Sequence, residues 1–147
     1  MFPHKLYKDS KYWVAPIIKE ELEVLNKEIN PVFKNADAHY FLAFINEEIV
    51  GRIAALVNWV EVNDLKKKKV RFGWFDFVDN KEVSKSLLNE VIKIGNDNNL
   101  EFIEGPVGFS NMDKAGMLIK GFEKKNTMIT LYNHSYYQDH MLSLIHI

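Results

Sequence analysis

The chain of 147 residues contains no cysteine, which excludes disulfide bonds and thiolate metal sites and is typical of a reducing compartment. It has no apolar run near the roughly 20 residues that a membrane-spanning helix needs, and no signal peptide opens it. Its formal net charge of −1 gives no overall attraction to nucleic acid or to an anionic membrane. These absences predict a cytoplasmic protein that binds no nucleic acid and crosses no membrane. They do not exclude peripheral contact with a membrane surface.

Metal-binding patterns are absent as well. Two of the five histidines, His134 and His140, are six positions apart and would lie on different faces of a helix, so no metal site is expected. What the chain has in quantity is apolar residues, at 47%, and aromatic residues, at 13%. This composition and length predict one globular domain around one core.

The hydrophobic periodicity predicts a mixed α/β fold in which helices pack on a sheet. Pro16 begins a predicted helix with an apolar stripe, and Asn30 and Pro31 end it. The almost wholly apolar run at 40–45 predicts a strand buried on both faces. The other predicted elements are a strand at 49–59 in a hairpin with 40–45, a strand at 70–78, a helix ending at 96–99, a strand at 100–104, a short helix capped by Ser110 or Asp113 and closed by Gly121, a strand at 127–131 and a last helix from Ser135.

A basic run at 66–69 lies in the connection to the strand at 70–78. The simpler interpretation is a solvated loop, and the alternative is a nucleic-acid patch. The loop is favoured, because a nucleic-acid site would need more basic neighbours.

The most informative segment is the strand at 70–78, which runs straight into the next helix. Free backbone N–H groups and the helix dipole meet at such a junction, where α/β proteins often bind a phosphate. This junction contains no glycine and carries Asp79 and Glu82, which suit a capping box and would repel a phosphate. The apolar alternation changes phase at Phe75. Either both faces of the strand are buried, or a bulge shifts its register near Gly73.

Five separated segments and the order of the elements resemble one family. The chain is similar to the GCN5-related N-acyltransferases, and within them to the bacterial branch of YghO-like and ceramide synthase-like proteins. The resemblance runs from about residue 2 to residue 140 and implies an N-acyltransferase domain over 1–141 with an atypical tail at 142–147. The segments that carry it are 51–55, 72–77, 105–110, 116–122 and 132–137.

The resemblance implies transfer of an acyl group from acyl-CoA or acetyl-CoA to an amine, which is either a small molecule or a lipid such as a sphingoid base. In this fold the strand before the cofactor helix contacts the pantetheine arm through its backbone. The loop and the first helical turn hold the pyrophosphate. The matching cofactor-binding positions are Phe75, Phe77, Val78, Asn80, Lys81, Ser84 and Lys85.

The chain departs from the family pattern at three places. The glycines of the usual pyrophosphate loop are missing from 79–84. The family commonly has a tyrosine in the last helix that acts as a general acid. At the nearest positions this chain has His140 and Met141 instead. Both ends differ too, so the mostly antiparallel sheet is expected to lack its first strand and its C-terminal strands.

Acyl transfer to an amine needs a group that accepts a proton and a donor for the oxyanion. Asp76 lies in the aromatic strand and is one candidate base, or else an outward-facing acid. Glu104 ends the next predicted strand and would lie near Asp76 if the two strands pair. Asn133 matches a family asparagine that can contact pantetheine, or it is an ordinary helix cap. Arg52 on its apolar strand needs a partner if it is buried, and a carboxylate would supply one.

Candidate acceptor-binding residues follow the last two strands. Tyr132, Tyr136 and Tyr137 could line an acceptor pocket or simply pack. Asn111 and Asp113 come after a Gly-Pro loop, where polar side chains often serve function, and helix capping is the alternative. We expect these five residues to contact the substrate if the chain is an enzyme.

Two functions are predicted as alternatives. The first is an acyl-CoA-dependent N-acyltransferase. The second is a non-catalytic binding module with the same fold, which the missing glycines and tyrosine motivate. A sheet without its first strand is also expected to expose an edge and apolar surface, and so to self-associate.

Overall fold

A computed structural model of the protein describes residues 1–110, 112–127 and 130–145. The strands in these ranges are β1 (Ala36–Ile45), β2 (Glu48–Asn58), β3 (Lys69–Phe77) and β4 (Phe102–Glu104). The helices are α1 (Phe2–Leu6), α2 (Ile18–Leu25), α3 (Trp59–Asn63), α4 (Lys81–Asp97) and α5 (Tyr136–Ile145). A 3-10 turn covers Pro31–Lys34. None of the described helices is both long and apolar enough to cross a membrane.

The four strands form one sheet in the order β1–β2–β3–β4. β1, β2 and β3 are antiparallel neighbours, whereas β3 and β4 are parallel. The β1–β2 hairpin turns at Asn46 and Glu47, whose φ angles of 47° and 67° suit a two-residue hairpin turn. The predicted hairpin and the mixed sheet packed by helices are confirmed.

Helix α4 covers one face of the sheet and forms the main core with β2 and β3. Its first turn is capped by Asn80, whose side chain accepts a hydrogen bond from the Glu82 N–H at 2.9 Å. The predicted capping box from Asp79 is therefore wrong by one residue, because asparagine and aspartate are equally good caps and stand side by side here. The core-facing residues of α4 are Val83, Leu87, Leu88 and Val91.

Both interpretations of the phase change in β3 hold. The first five residues of the strand are all buried. The register with β2 then shifts, so that Trp74 and Phe75 together oppose Ile53. Trp74 has a φ of 47°, in the left-handed region. The bulge therefore turns Trp74 to the face away from α4, where it packs against a second, smaller cluster.

The predicted helix from Pro16 is shorter than expected and its apolar stripe is exposed. α2 has only 8 residues and buries none of them. It stops at Asn26, whose side chain accepts from the Glu28 N–H, and Asn30 donates to the Val24 carbonyl. These side chains compete with the helical hydrogen bonds of the backbone. The apolar stripe consists of Ile18, Leu22, Leu25 and Ile29, of which only Leu25 is partly buried.

Within β1, the run at 40–45 is not buried on both faces. It lies at the edge of the described sheet, and only the face that carries Phe41 and Ala43 packs toward the α4 core. Tyr40, Leu42 and Phe44 point to the other face and are exposed. The predicted apolar run is therefore a strand with one covered face, and the expected exposure of an edge strand and of apolar surface is confirmed.

The segment after β4 also differs from its prediction. β4 begins at Phe102, and the described residues between Ser110 and Gly121 form turns instead of a short helix. Asp113 accepts a hydrogen bond from the Ser110 N–H at 2.8 Å, which closes a local turn. The predicted strand at 127–131 lies partly outside the described residues, and its described positions belong to no strand.

Candidate functional site

A cavity of about 240 Å³ opens beside the second half of β3. β3 and β4 pair over only three residues, and the chain then turns away at Gly105 and the cis Pro106. The Val107 N–H still donates to the Phe72 carbonyl at 2.8 Å. Beyond this bond the cavity separates the bulged half of β3 from the segment after β4. Its other walls include parts of α1, the segment at 13–16, α2, β2, the segment at 113–117, the segment at 130–133 and the start of α5.

Two glycines permit this close approach before the strands part. A Cβ atom at Gly73 would lie 2.5 Å from the Val107 carbonyl oxygen, and one at Gly105 would lie 2.5 Å from Phe72. Both contacts are too short for any other residue without a backbone shift. The cavity thus begins beyond these two glycines, where β3 and the segment after β4 stop pairing. Phe75 of β3 lines the cavity, whereas Ile103 of β4 does not.

Asp76 and Arg52 form an ion pair on the cavity wall. Arg52 Nε lies 2.7 Å from Asp76 Oδ2, and the two side chains are 17% and 13% exposed. The prediction that a carboxylate would partner a buried Arg52 is confirmed. Asp76 is therefore a charged group that faces the cavity, not an outward-facing acid.

Two tyrosines complete the surroundings of Asp76. Tyr7 Oη donates to Asp76 Oδ1 at 3.0 Å and lies 2.9 Å from Tyr137 Oη. Tyr137 Oη in turn accepts a hydrogen bond from the Phe77 N–H at 3.1 Å. A continuous hydrogen-bonded chain therefore joins the backbone of β3 to Asp76 through side chains of α5 and of the segment after α1.

The hydroxyl groups of these tyrosines are hard to ionise. Burial raises the pKa of Tyr7, and the adjacent Asp76 carboxylate raises it further. Burial also raises the pKa of Tyr137 and of Tyr136 above the ordinary tyrosine value. All three hydroxyls therefore keep their protons at neutral pH and act as hydrogen-bond donors.

The predicted pantetheine contacts lie beside the cavity, but several of their backbone groups have protein partners. Phe75 lines the cavity. The Phe77 N–H donates to Tyr137, and its carbonyl accepts from Tyr136 Oη at 2.6 Å. The Val78 N–H donates to a carbonyl of β2 at 3.0 Å. Helix α5 therefore covers the end of β3 that the family resemblance assigns to the cofactor.

The predicted pyrophosphate positions lie in the first turn of α4. Asn80 caps this turn, and Lys81 and Lys85 extend from it into solvent. Ser84 is 2% exposed, and its hydroxyl donates to the Lys81 carbonyl at 3.1 Å. The two lysines thus place positive charge near the helix N-terminus, while Ser84 faces the protein interior.

The structure also brings together a serine, a histidine and an aspartate at the contact between α4 and α5. His140 Nδ1 lies 2.8 Å from Ser84 Oγ, and His140 Nε2 lies 3.0 Å from Asp79 Oδ1. Ser84 and His140 are each only 2% exposed. No substrate can reach this serine, so the contacts join α5 to α4 and do not form a nucleophile.

Glu104 lies in a separate ion cluster and not beside Asp76. The β3–β4 register places it opposite Arg71, five residues before Asp76 and on the other side of the bulge. Its Oε2 lies 2.6 Å from Lys69 Nζ and 2.9 Å from Arg71 Nε, and Glu61 completes the cluster. The hydrogen bond from Lys69, followed by that from Arg71, lowers the pKa of Glu104. The expectation that Glu104 lies near Asp76 is wrong, since the strands pair only at the other end of β3.

The same cluster corrects the interpretation of the basic run at 66–69. Lys69 belongs to β3 and is only 6% exposed, because the carboxylates of Glu61 and Glu104 hold its amino group. The three preceding lysines are exposed, as predicted for a solvated loop.

Asn133 joins two loops at the cavity wall. Its Oδ1 accepts from the Leu118 N–H at 2.7 Å, and its Nδ2 donates to the Leu118 and His134 carbonyls. The side chain is therefore not a helix cap. It fixes the segment at 116–122 against the start of α5.

The predicted acceptor-binding residues are partly brought together. Tyr132, Tyr137 and Asp113 line the cavity, whereas Tyr136 lies beside it on Phe77. Asn111 lies outside the described residues. No group of three or more His, Cys, Asp or Glu residues in the described part of the chain could hold a metal ion.

Tyr7 is the site residue that sequence reasoning missed. It is 2% exposed and lines the cavity, yet its partners Asp76 and Tyr137 are 69 and 130 residues away. No local pattern around Tyr7 marks it, because its role depends wholly on contacts made in the folded state.

Two curated bacterial proteins are similar to this chain. YghO of Escherichia coli strain K12 is 26% identical to the chain over 143 residues, covering 97% of this chain and 36% of YghO. The bacterial ceramide synthase of Caulobacter vibrioides is 25% identical over 122 residues, covering 82% of this chain and 32% of that protein. The chain therefore spans about a third of the length of these curated relatives. No family model matches the chain, and no solved structure matches it.

Proposed function

We propose that the chain forms part of an acyl-CoA-dependent N-acyltransferase related to the GCN5 family. The observation that carries this proposal is the cavity that opens where the bulged strand β3 parts from β4, directly before helix α4. Similarity to a protein named bacterial ceramide synthase supports an acyltransferase. It makes a sphingoid base the first acceptor to test, ahead of small amines.

The acyl donor would lie along the bulge and toward α4. In the proposed arrangement its pantetheine arm contacts the backbone near Phe75, and its phosphates lie at the first turn of α4. Lys81 and Lys85 would offset the negative charge of Asp79 and Glu82 there. The donor thus ends with its thioester in the cavity beside Asp76.

The proposed reaction uses Asp76 as the proton acceptor. The neutral amine attacks the thioester carbonyl, a C–N bond forms, and the C–S bond breaks to release the CoA thiolate. One amine proton passes to the Asp76 carboxylate, and solvent protonates the thiolate. Tyr132 and Asp113 would contact the acceptor from the opposite wall.

Thiol release tests the proposal. The protein is incubated with acetyl-CoA or hexadecanoyl-CoA, together with sphinganine or hexylamine, and free CoA is measured. We expect release that depends on the amine and falls at least 100-fold in Asp76→Asn. Asp97→Asn, an exposed change at the far end of α4, is the matched control. If no acyl-CoA binds at millimolar concentration, the proposal fails.

The second candidate function is a non-catalytic binding module. One observation favours it: both backbone groups of Phe77 already bond to tyrosines of α5. A cell-based complementation assay separates the two candidates. Full complementation by both Asp76→Ala and Asn133→Ala would support the module, and loss of complementation by Asp76→Ala would support the enzyme.

A further inference from the structure

We propose that Tyr7 and Tyr137 are positioning residues that hold the Asp76 carboxylate for proton transfer. This inference rests on the proposed acyl transfer and assigns a role to two buried hydroxyls that the reaction does not otherwise use. Both tyrosines line the cavity, at 2% and 3% exposure. They come from opposite ends of the chain and meet at one carboxylate.

The two ends of the hydrogen-bonded chain fix the direction of every proton in it. The Phe77 N–H can only donate, so Tyr137 Oη must accept there. An ionised Asp76 can only accept, so Tyr7 must give its single proton to Oδ1. The bond between the two hydroxyls therefore runs from Tyr137 to Tyr7. Both hydroxyl dipoles are directed at Asp76.

This chain cannot carry a proton away from the site. It ends at a backbone amide, which neither accepts nor releases a proton at neutral pH. The tyrosines therefore orient the carboxylate, and they do so together with Arg52 on the other oxygen. With one bond to each oxygen, Asp76 keeps lone pairs that can face an amine in the cavity.

The aromatic ring of Tyr7 has a separate packing role, which allows the hydroxyl to be tested alone. The ring contacts Trp13, His134 and Tyr132 at centroid distances of 5.2, 4.9 and 5.8 Å. Tyr7→Phe keeps these contacts and removes the two hydrogen bonds of the hydroxyl, the one donated to Asp76 and the one accepted from Tyr137. Tyr40→Phe is the matched control, because Tyr40 also loses a 3.0 Å hydrogen bond, to the Leu25 carbonyl, away from the cavity.

Two measurements on the whole chain test the proposal. The first is the 13C chemical shift of the Asp76 side-chain carboxyl group, measured without any substrate. Its resonance is assigned as the one that is absent from the spectrum of Asp76→Asn. We expect the chemical shift of this resonance to change in Tyr7→Phe and in Tyr137→Phe, and to be unchanged in Tyr40→Phe. An unmoved resonance in Tyr7→Phe overturns the proposal.

The second measurement uses hexadecanoyl-CoA and sphinganine as probes. We expect kcat of Tyr7→Phe to fall roughly tenfold with KM for the acyl-CoA unchanged, because orientation acts on the reacting state. Equal kcat values in Tyr7→Phe and Tyr40→Phe overturn the positioning role while the acyl-transfer proposal stands. No thiol release by the unchanged protein overturns the acyl-transfer proposal, whatever the 13C resonance shows.

Discussion

Arg52 and Asp76 face each other across β2 and β3, in the register pair next to the bulge. Their 2.7 Å contact is largely shielded from water. The ion pair therefore does two things at once. It neutralises a charge that would be costly to bury alone, and it fixes the carboxylate on the wall of the cavity.

We expect Arg52→Met to destabilise the protein by about 2 kcal/mol, because it leaves the Asp76 carboxylate poorly solvated and unpaired. Adding Asp76→Asn to this variant should recover part of that loss, since the uncompensated charge is then gone. Urea denaturation of the two single variants and the double variant measures the coupling. Additive effects would show that the pair does not stabilise the fold.

The ion cluster around Glu104 predicts how stability depends on pH. The pKa of Glu104 lies below its ordinary value of 4.5 in the folded state. Its contribution is therefore fully present above about pH 4.5 and is lost as the pH falls through the folded-state pKa. We expect Glu104→Gln to flatten the acid limb of a plot of unfolding free energy against pH. Glu101→Gln, which removes an exposed ion pair with Lys68, should leave that limb in place.

The close approach of β3 to the segment after β4 depends on Gly73, which has no side chain. A Cβ atom at Gly73 would meet a backbone oxygen of Val107 at 2.5 Å, and the backbone cannot move aside cheaply. We expect Gly73→Ala to destabilise the protein by about 2 kcal/mol. Gly95→Ala is the contrasting variant, because its Cβ would meet only the Val70 side chain at 3.1 Å and alanine favours a helix. Chemical denaturation should show a loss for the first and little change for the second.

The elements around the core could be predicted because their pattern is local. The 3.6-residue repeat in α4 and the phase change at Phe75 are both visible in the sequence, because each arises within one element. The helix after Pro16 could not be bounded in this way. Its end depends on Asn26 and Asn30, whose side chains bond to the backbone instead of continuing the helix.

The site was only partly predictable for a different reason. Asp76 and the need of Arg52 for a carboxylate follow from residue type and position. The location of Glu104 depends on where β3 and β4 stop pairing, and the role of Tyr7 depends on α1 folding back onto the sheet. No local pattern in one sequence encodes such long-range contacts.

The exposed face of β1 predicts self-association. Leu42 and Phe44 are 52% and 58% exposed on a strand that ends the described sheet. We expect Phe44→Lys to shift the protein toward the monomer, because a charged side chain opposes edge-to-edge pairing and removes apolar surface. Sedimentation velocity at increasing protein concentration measures the shift. His39→Lys, on the other face of the same strand, is the control, and an equal response would indicate a general charge effect.

Substitution of Asn133 tests whether its hydrogen bonds fix the segment at 116–122 against the start of α5. Asn133→Asp keeps the acceptor for the Leu118 N–H but replaces two donated hydrogen bonds with a carboxylate facing two carbonyl oxygens. We expect a loss of about 2–3 kcal/mol, because the side chain is almost fully buried and the oxygen that replaces Nδ2 faces two carbonyl oxygens. Asn126 makes the same pattern of one accepted and two donated bonds in an exposed setting, so Asn126→Asp should cost far less. Hydrogen exchange should speed up at 116–122 in Asn133→Asp alone. Unchanged exchange there would mean that Asn133 does not fix this segment.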